Sequence, residues 1–182
     1  MGCSTFAESR PQVLWEKAAA LSDLQVDWHL IGHLQRNKAK RTLLLVSTIH
    51  SLDSMRILEQ IQQDTVERPQ PLRLLLEMNI SGDREKTGML VSEGEELLDL
   101  WQLKSHEFPN LSIVGLMGMG SLDGGPDQAR RDFAAIRSLR DDWAKRSGMQ
   151  LKELSMGMSQ DFETAIEEGA TMVRIGSILF AD

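Results

Sequence analysis

Hydrophobic and polar positions follow two periods along this chain, and the two alternate from end to end. Segments 26–32 (VDWHLIG), 46–52 (VSTIHSL), 72–80 (LRLLLEMNI), 111–119 (LSIVGLMGM), 151–156 (LKELSM) and 171–176 (TMVRIG) read as strands, and 72–80 is a long apolar run that suits a buried parallel strand. Between them apolar residues return at helical spacing. Met55, Ile57, Leu58 and Ile61 mark a helix over 54–66, and Ala129, Phe133, Ile136 and Leu139 or Arg140 mark one over 127–146. Segments 37–45, 92–106 and 160–168 also read as helices, and Gly148 and Gly169 suit the positions just past a helix end.

With "TF" near the start counted as a strand stub, about seven strands alternate with helices. That pattern predicts the α/β class: a parallel sheet covered by helices. Seven strands are one short of a (β/α)₈ barrel and many for a small open sheet, so the count leaves both architectures open. No repeat, low-complexity tract or linker divides residues 1–182, which predicts a single domain, and "GSLDGGPD" (120–127) reads as a surface loop.

Composition narrows the partners. An apolar share of 41% supports a real core, while no apolar run approaches the 18 or more residues of a membrane span, and no secretory signal opens the chain. Cys3 is the single cysteine, which suits a reducing cytoplasm. A net charge of −7 repels a polyanion, so neither nucleic acid nor membrane is an expected partner. The basic stretch "RNKAKR" from Arg36 to Arg41 reads as a solvated helix start.

In α/β folds the loops after strands carry function. Gly115, Gly118 and Gly120 do not form the dinucleotide fingerprint, and no G-x-S-x-G elbow occurs. His29 and His33 lie four apart but lack the H-E-x-x-H glutamate and a third ligand, so no metal site is expected. The last two strand-to-helix junctions, "SMGMSQD" and "VRIGS", are more telling. Ser159 suits the N-cap of a helix starting at Gln160, with Asp161 and Glu163 at its positive end. Gly176 permits close backbone approach to a ligand, Ser177 offers a hydroxyl and Arg174 a fixed cation. In barrels the loops after strands seven and eight commonly form the phosphate site. These junctions take that rank if one βα unit precedes the chain.

The segments "FAESRPQ", "WHLIGHLQRNKAK", "EMNISGDREKTGM", "GLMGMG" and "LSMGMSQDFETAIEEGATMVRIGS" resemble, in order and spacing, the pyridoxal-phosphate homeostasis proteins. The resemblance covers the chain from about Gly2 to its end. It implies a (β/α)₈ barrel of the alanine racemase N-terminal type that binds pyridoxal 5′-phosphate in cofactor homeostasis without robust catalysis. It implies cofactor binding by Ser155, Ser159, Arg174, Gly176 and Ser177: Ser155, Gly176 and Ser177 on the phosphate, Arg174 toward the pyridine nitrogen, and Ser159 at the helix start beside them. No catalytic residue and no metal ligand are implied, and a monomer is expected, or a dimer if the open barrel edge is covered.

One departure stands out. The family's Schiff-base lysine lies on a first strand in a "V-S-K-T-K"-like segment, whereas here Met1 is followed directly by the later "GCSTFAESRPQ" region, with Ser9 in place of an asparagine. The first strand and helix, and that lysine, are thus absent from this sequence, which leads to the expectation of weak, reversible binding. Lys86 is the alternative lysine nearest a strand end, while Lys38 and Lys40 fall on a helix. A racemase-like enzyme of the alanine racemase type would need a tyrosine partner, and the chain has none. A degenerate scaffold that binds no cofactor is the third reading.

Overall fold

A computed structural model describes residues 2–65, 68–80, 87–121 and 125–179. Seven strands, β1 (Thr5–Glu8), β2 (Asp27–Leu30), β3 (Val46–Leu52), β4 (Leu72–Glu77), β5 (Leu111–Met117), β6 (Glu153–Met158) and β7 (Met172–Arg174), form one sheet. They pair in chain order, every pair parallel. Helices α1 (Pro11–Ala20), α2 (Arg36–Leu43), α3 (Met55–Asp64), α4 (Val91–Lys104), α5 (Gly125–Ser147) and α6 (Phe162–Glu167) provide the crossovers.

The two sides of the sheet differ because side chains alternate along a strand. On β4, Leu72, Leu74 and Leu76 pack in the core shared with the helices, together with Ile49, Ile113, Leu116, Leu154 and Met156 from neighbouring strands. The helices contribute Leu58, Ile61, Leu97, Phe133, Ile136 and Trp143 to the same core. The opposite face carries Arg73 and Glu77 on β4 and Ser155 on β6, and it is closed by the curl of the sheet. His50 Nδ1 on β3 lies 2.7 Å from Ser155 Oγ on β6. In a flat sheet those strands would stand about 14 Å apart. Side chains three strands away therefore meet across an interior, which is the geometry of a barrel wall. Among the described residues β1 and β7 each pair with one neighbour only, so the curled sheet stops just short of closure.

The helix ends follow local rules. Pro11 sits in the first turn of α1, where its missing N–H would have had no partner. Gly148 takes φ +70° after α5 and its N–H reaches Ala144 O at 2.9 Å. Gly169 takes φ +93° after α6. One helix is missing from the sequence reading, and one cap needs correction. Helix α1 goes unseen in the apolar pattern, because its buried residues are only Pro11 and Leu14. Helix α6 starts at Phe162, so Ser159 is not its N-cap; that position belongs to Asp161.

Candidate functional site

The site lies at the C-terminal ends of β5, β6 and β7, where a parallel barrel presents its loops. Arg174, the last residue of β7, turns back over β6. Its Nη1 donates to the Ser155 carbonyl at 2.8 Å and to Ser155 Oγ at 2.9 Å, and its Nη2 donates to the Gly118 carbonyl at 3.1 Å. One half-buried guanidinium thereby ties β7 to β6 and to the residue just past β5. Burial lowers its pKa, opposed by the more distant Asp161 and Glu77. Among the described residues no carboxylate comes within ion-pair distance of it.

Beyond β6 the chain makes a tight turn before α6. Asp161 Oδ1 accepts the Met158 N–H at 2.6 Å and holds the turn. Gly157, at φ +90°, lets α6 pack against the strand end: a Cβ there would stand 2.5 Å from Ala165 Cβ and 3.1 Å from Phe162 Cα. This places Ser159 opposite the loop that follows β7. Ser159 Oγ lies 3.4 Å from the Gly176 nitrogen and 3.5 Å from the Ile178 nitrogen, both N–H groups directed at it. Ser177 stands between them, at the start of a short 3₁₀ turn, Ser177–Leu179. A Cβ on Gly176 would meet nothing within 4 Å, so the backbone is bare on that side. Two backbone N–H groups and two serines on one rim, beside a cation, form a donor set suited to an anion.

Of the five residues expected to bind a ligand, Ser159, Arg174, Gly176 and Ser177 come together here. Ser155 does not face the rim. It is 0% exposed, and its hydroxyl is taken by Arg174 and His50. The strand alternation that puts Ser155 on the inner face also puts it below the guanidinium. Of the two serines of "SMGMS", Ser159 is thus on the rim, and Ser155 lies beneath it and accepts from Arg174.

Sequence reasoning missed the groups beneath. His50 Nε2 lies 3.0 Å from His29 Nδ1, and His29 Nε2 lies 3.3 Å from Asp27 Oδ2. Burial, with the nearby His29, Arg174 and Arg73, pushes the His50 pKa down to about 3, and burial lowers that of His29 despite Asp27. His33 instead turns outward to Asp53 Oδ2 at 3.1 Å, which separates the two histidines that the four-residue spacing suggested as a pair. Glu77 is buried at the end of β4, accepts a hydrogen bond from Thr87 Oγ1, and has its pKa raised by burial. The detectable signal was a titratable side chain within a predicted strand, as at His50 and Glu77.

On the other side of the mouth, a groove of about 530 Å³ is lined by Ser9, Arg10, His33, Gln35 and Lys38. It brings together the ends of "FAESRPQ" and "HLQRNK". Lys38 and Lys40 lie in α2, and Lys86 lies outside the described residues.

The sequence profile described as "Alanine racemase, N-terminal domain" matches residues 2–182. The chain belongs to this family. A pyridoxal phosphate homeostasis protein of Aquifex aeolicus is 40% identical over 181 residues, an alignment covering 100% of this chain and 78% of that protein. The human pyridoxal phosphate homeostasis protein is 34% identical over 195 residues, covering 100% and 69%. Among solved structures, PipY of Synechococcus elongatus PCC7942 with PLP bound is 31% identical with a TM-score of 0.90, over 99% of this chain and 82% of PipY. An alanine racemase of Clostridium difficile, at 13% identity, has a TM-score of 0.77 over 98% and 45%, a likeness of fold alone. The seven strands are thus those of the alanine racemase N-terminal barrel.

Proposed function

We propose that this chain binds pyridoxal 5′-phosphate in the cytoplasm and serves cofactor homeostasis, acting on a small molecule as a monomer. Its phosphate would rest on Ser159, Gly176 and Ser177, with Arg174 toward the pyridine ring and Ser155 supporting Arg174 from below. The observation that carries this reading is Arg174: a half-buried cation held by two carbonyls and a hydroxyl, with no carboxylate partner among the described residues. Such a charge is costly to bury without a counter-ion. The adjacent rim offers the complementary donors, and a phosphate monoester carries about −1.5 to −2 charges at neutral pH. The long contacts of Ser159 to the Gly176 and Ile178 N–H groups leave both donors room for a stronger acceptor. The PLP held by PipY and the names of the homeostasis proteins support the same ligand.

Once bound, pyridoxal 5′-phosphate supplies an aldehyde and an electron-withdrawing ring. Arg174, permanently protonated, would disfavour a proton on the neighbouring ring nitrogen and so hold down the ring's electron demand. Ser155 and Gly118 fix the guanidinium so that little reorganisation accompanies binding. That arrangement suits holding the cofactor better than turning it over. In this chain, which has no tyrosine, an acid–base partner of that type is not available. Titration of the purified protein with pyridoxal phosphate tests the reading: saturable binding is expected, weakened in Arg174→Ala and Ser177→Ala. Equal behaviour of all three proteins would contradict it.

A further inference from the structure

Four strands contribute to a continuous chain of side chains through the barrel interior. From Asp27 on β2 it runs to His29 on the same strand, to His50 on β3, to Ser155 on β6 and to Arg174 on β7, with successive separations of 3.3, 3.0, 2.7 and 2.9 Å. His29, His50 and Ser155 are 4%, 2% and 0% exposed. Water therefore has little access to the middle of the chain, and its hydrogen bonds must be satisfied internally.

The order of donors follows from the two ends. A carboxylate only accepts, so His29 Nε2 must carry a proton and donate to Asp27. A neutral imidazole with Nε2–H leaves Nδ1 as an acceptor, so His50 must donate through Nε2. His50 Nδ1 is then an acceptor as well, and the Ser155 hydroxyl must donate to it. The oxygen of Ser155 keeps its lone pairs for Arg174 Nη1, which only donates. Each assignment forces the next. The reverse polarity would place the lone pair of His29 Nε2 against the Asp27 carboxylate, acceptor facing acceptor. The other charged groups facing the imidazoles are Arg73 and Glu153, which pair with each other. Together with Arg174, Arg73 disfavours a second proton on His50.

We propose that Asp27, His29 and His50 form a hydrogen-bond relay of one polarity, fixing the Ser155 hydroxyl as donor to His50 and acceptor from Arg174. His50 and His29 are then positioning residues for the site's cation. With Nη1 held by two acceptors and Nη2 by a third, the guanidinium plane is set before a ligand arrives. Among the described residues no acceptor takes its Nε–H, which is left for that ligand. The relay itself is a property of the cofactor-free protein; only its effect on affinity rests on the proposed function.

The test uses the whole chain. Nitrogen-15 spectra of the imidazoles in the cofactor-free protein at neutral pH should show both His29 and His50 neutral, with a proton on Nε2 and none on Nδ1. In His29→Ala, which leaves every contact of Ser155 and Arg174 in place, His50 should lose its single tautomer. Affinity for pyridoxal phosphate should fall about fivefold in His29→Ala and in His50→Ala, the size of one lost hydrogen bond. The double variant should bind no more weakly than either single one, because both cut the same relay. An Nδ1–H tautomer, an imidazolium at neutral pH, or a folded His29→Ala with wild-type affinity and unchanged His50 signals would overturn the relay. Failure of the unaltered protein to bind pyridoxal phosphate would count against the proposed function alone, and the tautomer measurement would still decide the relay.

Discussion

Ser159 Oγ lies 3.4 Å from the Gly176 nitrogen, joining the two last strand-end loops by a contact at the long limit of hydrogen bonding. It is close enough to define a rim and too long to saturate it. Ser159→Ala should therefore fold as the parent does and bind pyridoxal phosphate roughly fivefold more weakly, one hydrogen bond of about 1 kcal/mol. Gly176→Ala should also fold normally, since its Cβ would enter open space. Any loss of affinity, measured by fluorescence titration, then reports on the ligand and not on the fold.

Arg174 acts on both stability and binding. Arg174→Met removes the donors to the Ser155 and Gly118 carbonyls; Ser155 O keeps the Gly118 N–H at 3.1 Å, but the buried Gly118 carbonyl loses its donor, at a cost of about 1–3 kcal/mol. Denaturant unfolding should show that loss. Affinity should fall further than in Ser159→Ala, by roughly ten- to a hundredfold, because a charge-assisted contact is lost.

Gly157→Ala should be among the more damaging single changes near the site. The position has φ +90°, and the added methyl would meet Ala165 Cβ and the backbone at Phe162. Backbone strain and overlap together predict a cost above about 2 kcal/mol, with α6 displaced from β6. Thermal unfolding and a cofactor titration should change together.

The buried histidines predict acid sensitivity. His50 has a folded-state pKa near 3, whereas in the unfolded chain it titrates near 6.5. Between those values the unfolded state binds the extra proton, so stability falls as pH drops below about 6.5 and is level above it. The slope approaches about 1.4 kcal/mol per pH unit for such a group. His29, shifted in the same direction, adds to it. Urea unfolding from pH 7 to 5 should show this decline, and His50→Gln should flatten it.

Glu77 has the opposite sign. Burial raises its pKa, so the folded state holds its proton more tightly than the unfolded one. Its contribution to stability is lost as pH rises through the folded pKa. Glu77→Gln, which can still accept from Thr87, should raise the melting temperature at neutral pH.

The periodic apolar strands and the longer helices were legible in the sequence because burial on both faces leaves a direct imprint, as in "LRLLLEMNI". Helix α1 left almost none, with two buried residues in ten. Of the site, "SMGMS" and "VRIGS" were legible as a pair. Which serine faces outward was not, because it depends on where β6 ends and how Arg174 folds back. His50 and Ser155 are 105 residues apart in sequence. Only the curl of the sheet makes them neighbours, and no local spacing encodes that contact.

The rim of Ser159, Gly176 and Ser177 is proposed to hold the phosphate. Calorimetric titration with pyridoxal 5′-phosphate and with pyridoxal, which lacks the phosphate, tests it most directly. Loss of two charge-assisted hydrogen bonds of about 1.5 kcal/mol each predicts that pyridoxal binds roughly a hundredfold more weakly. Equal affinity for the two compounds would mean that the rim does not hold the phosphate.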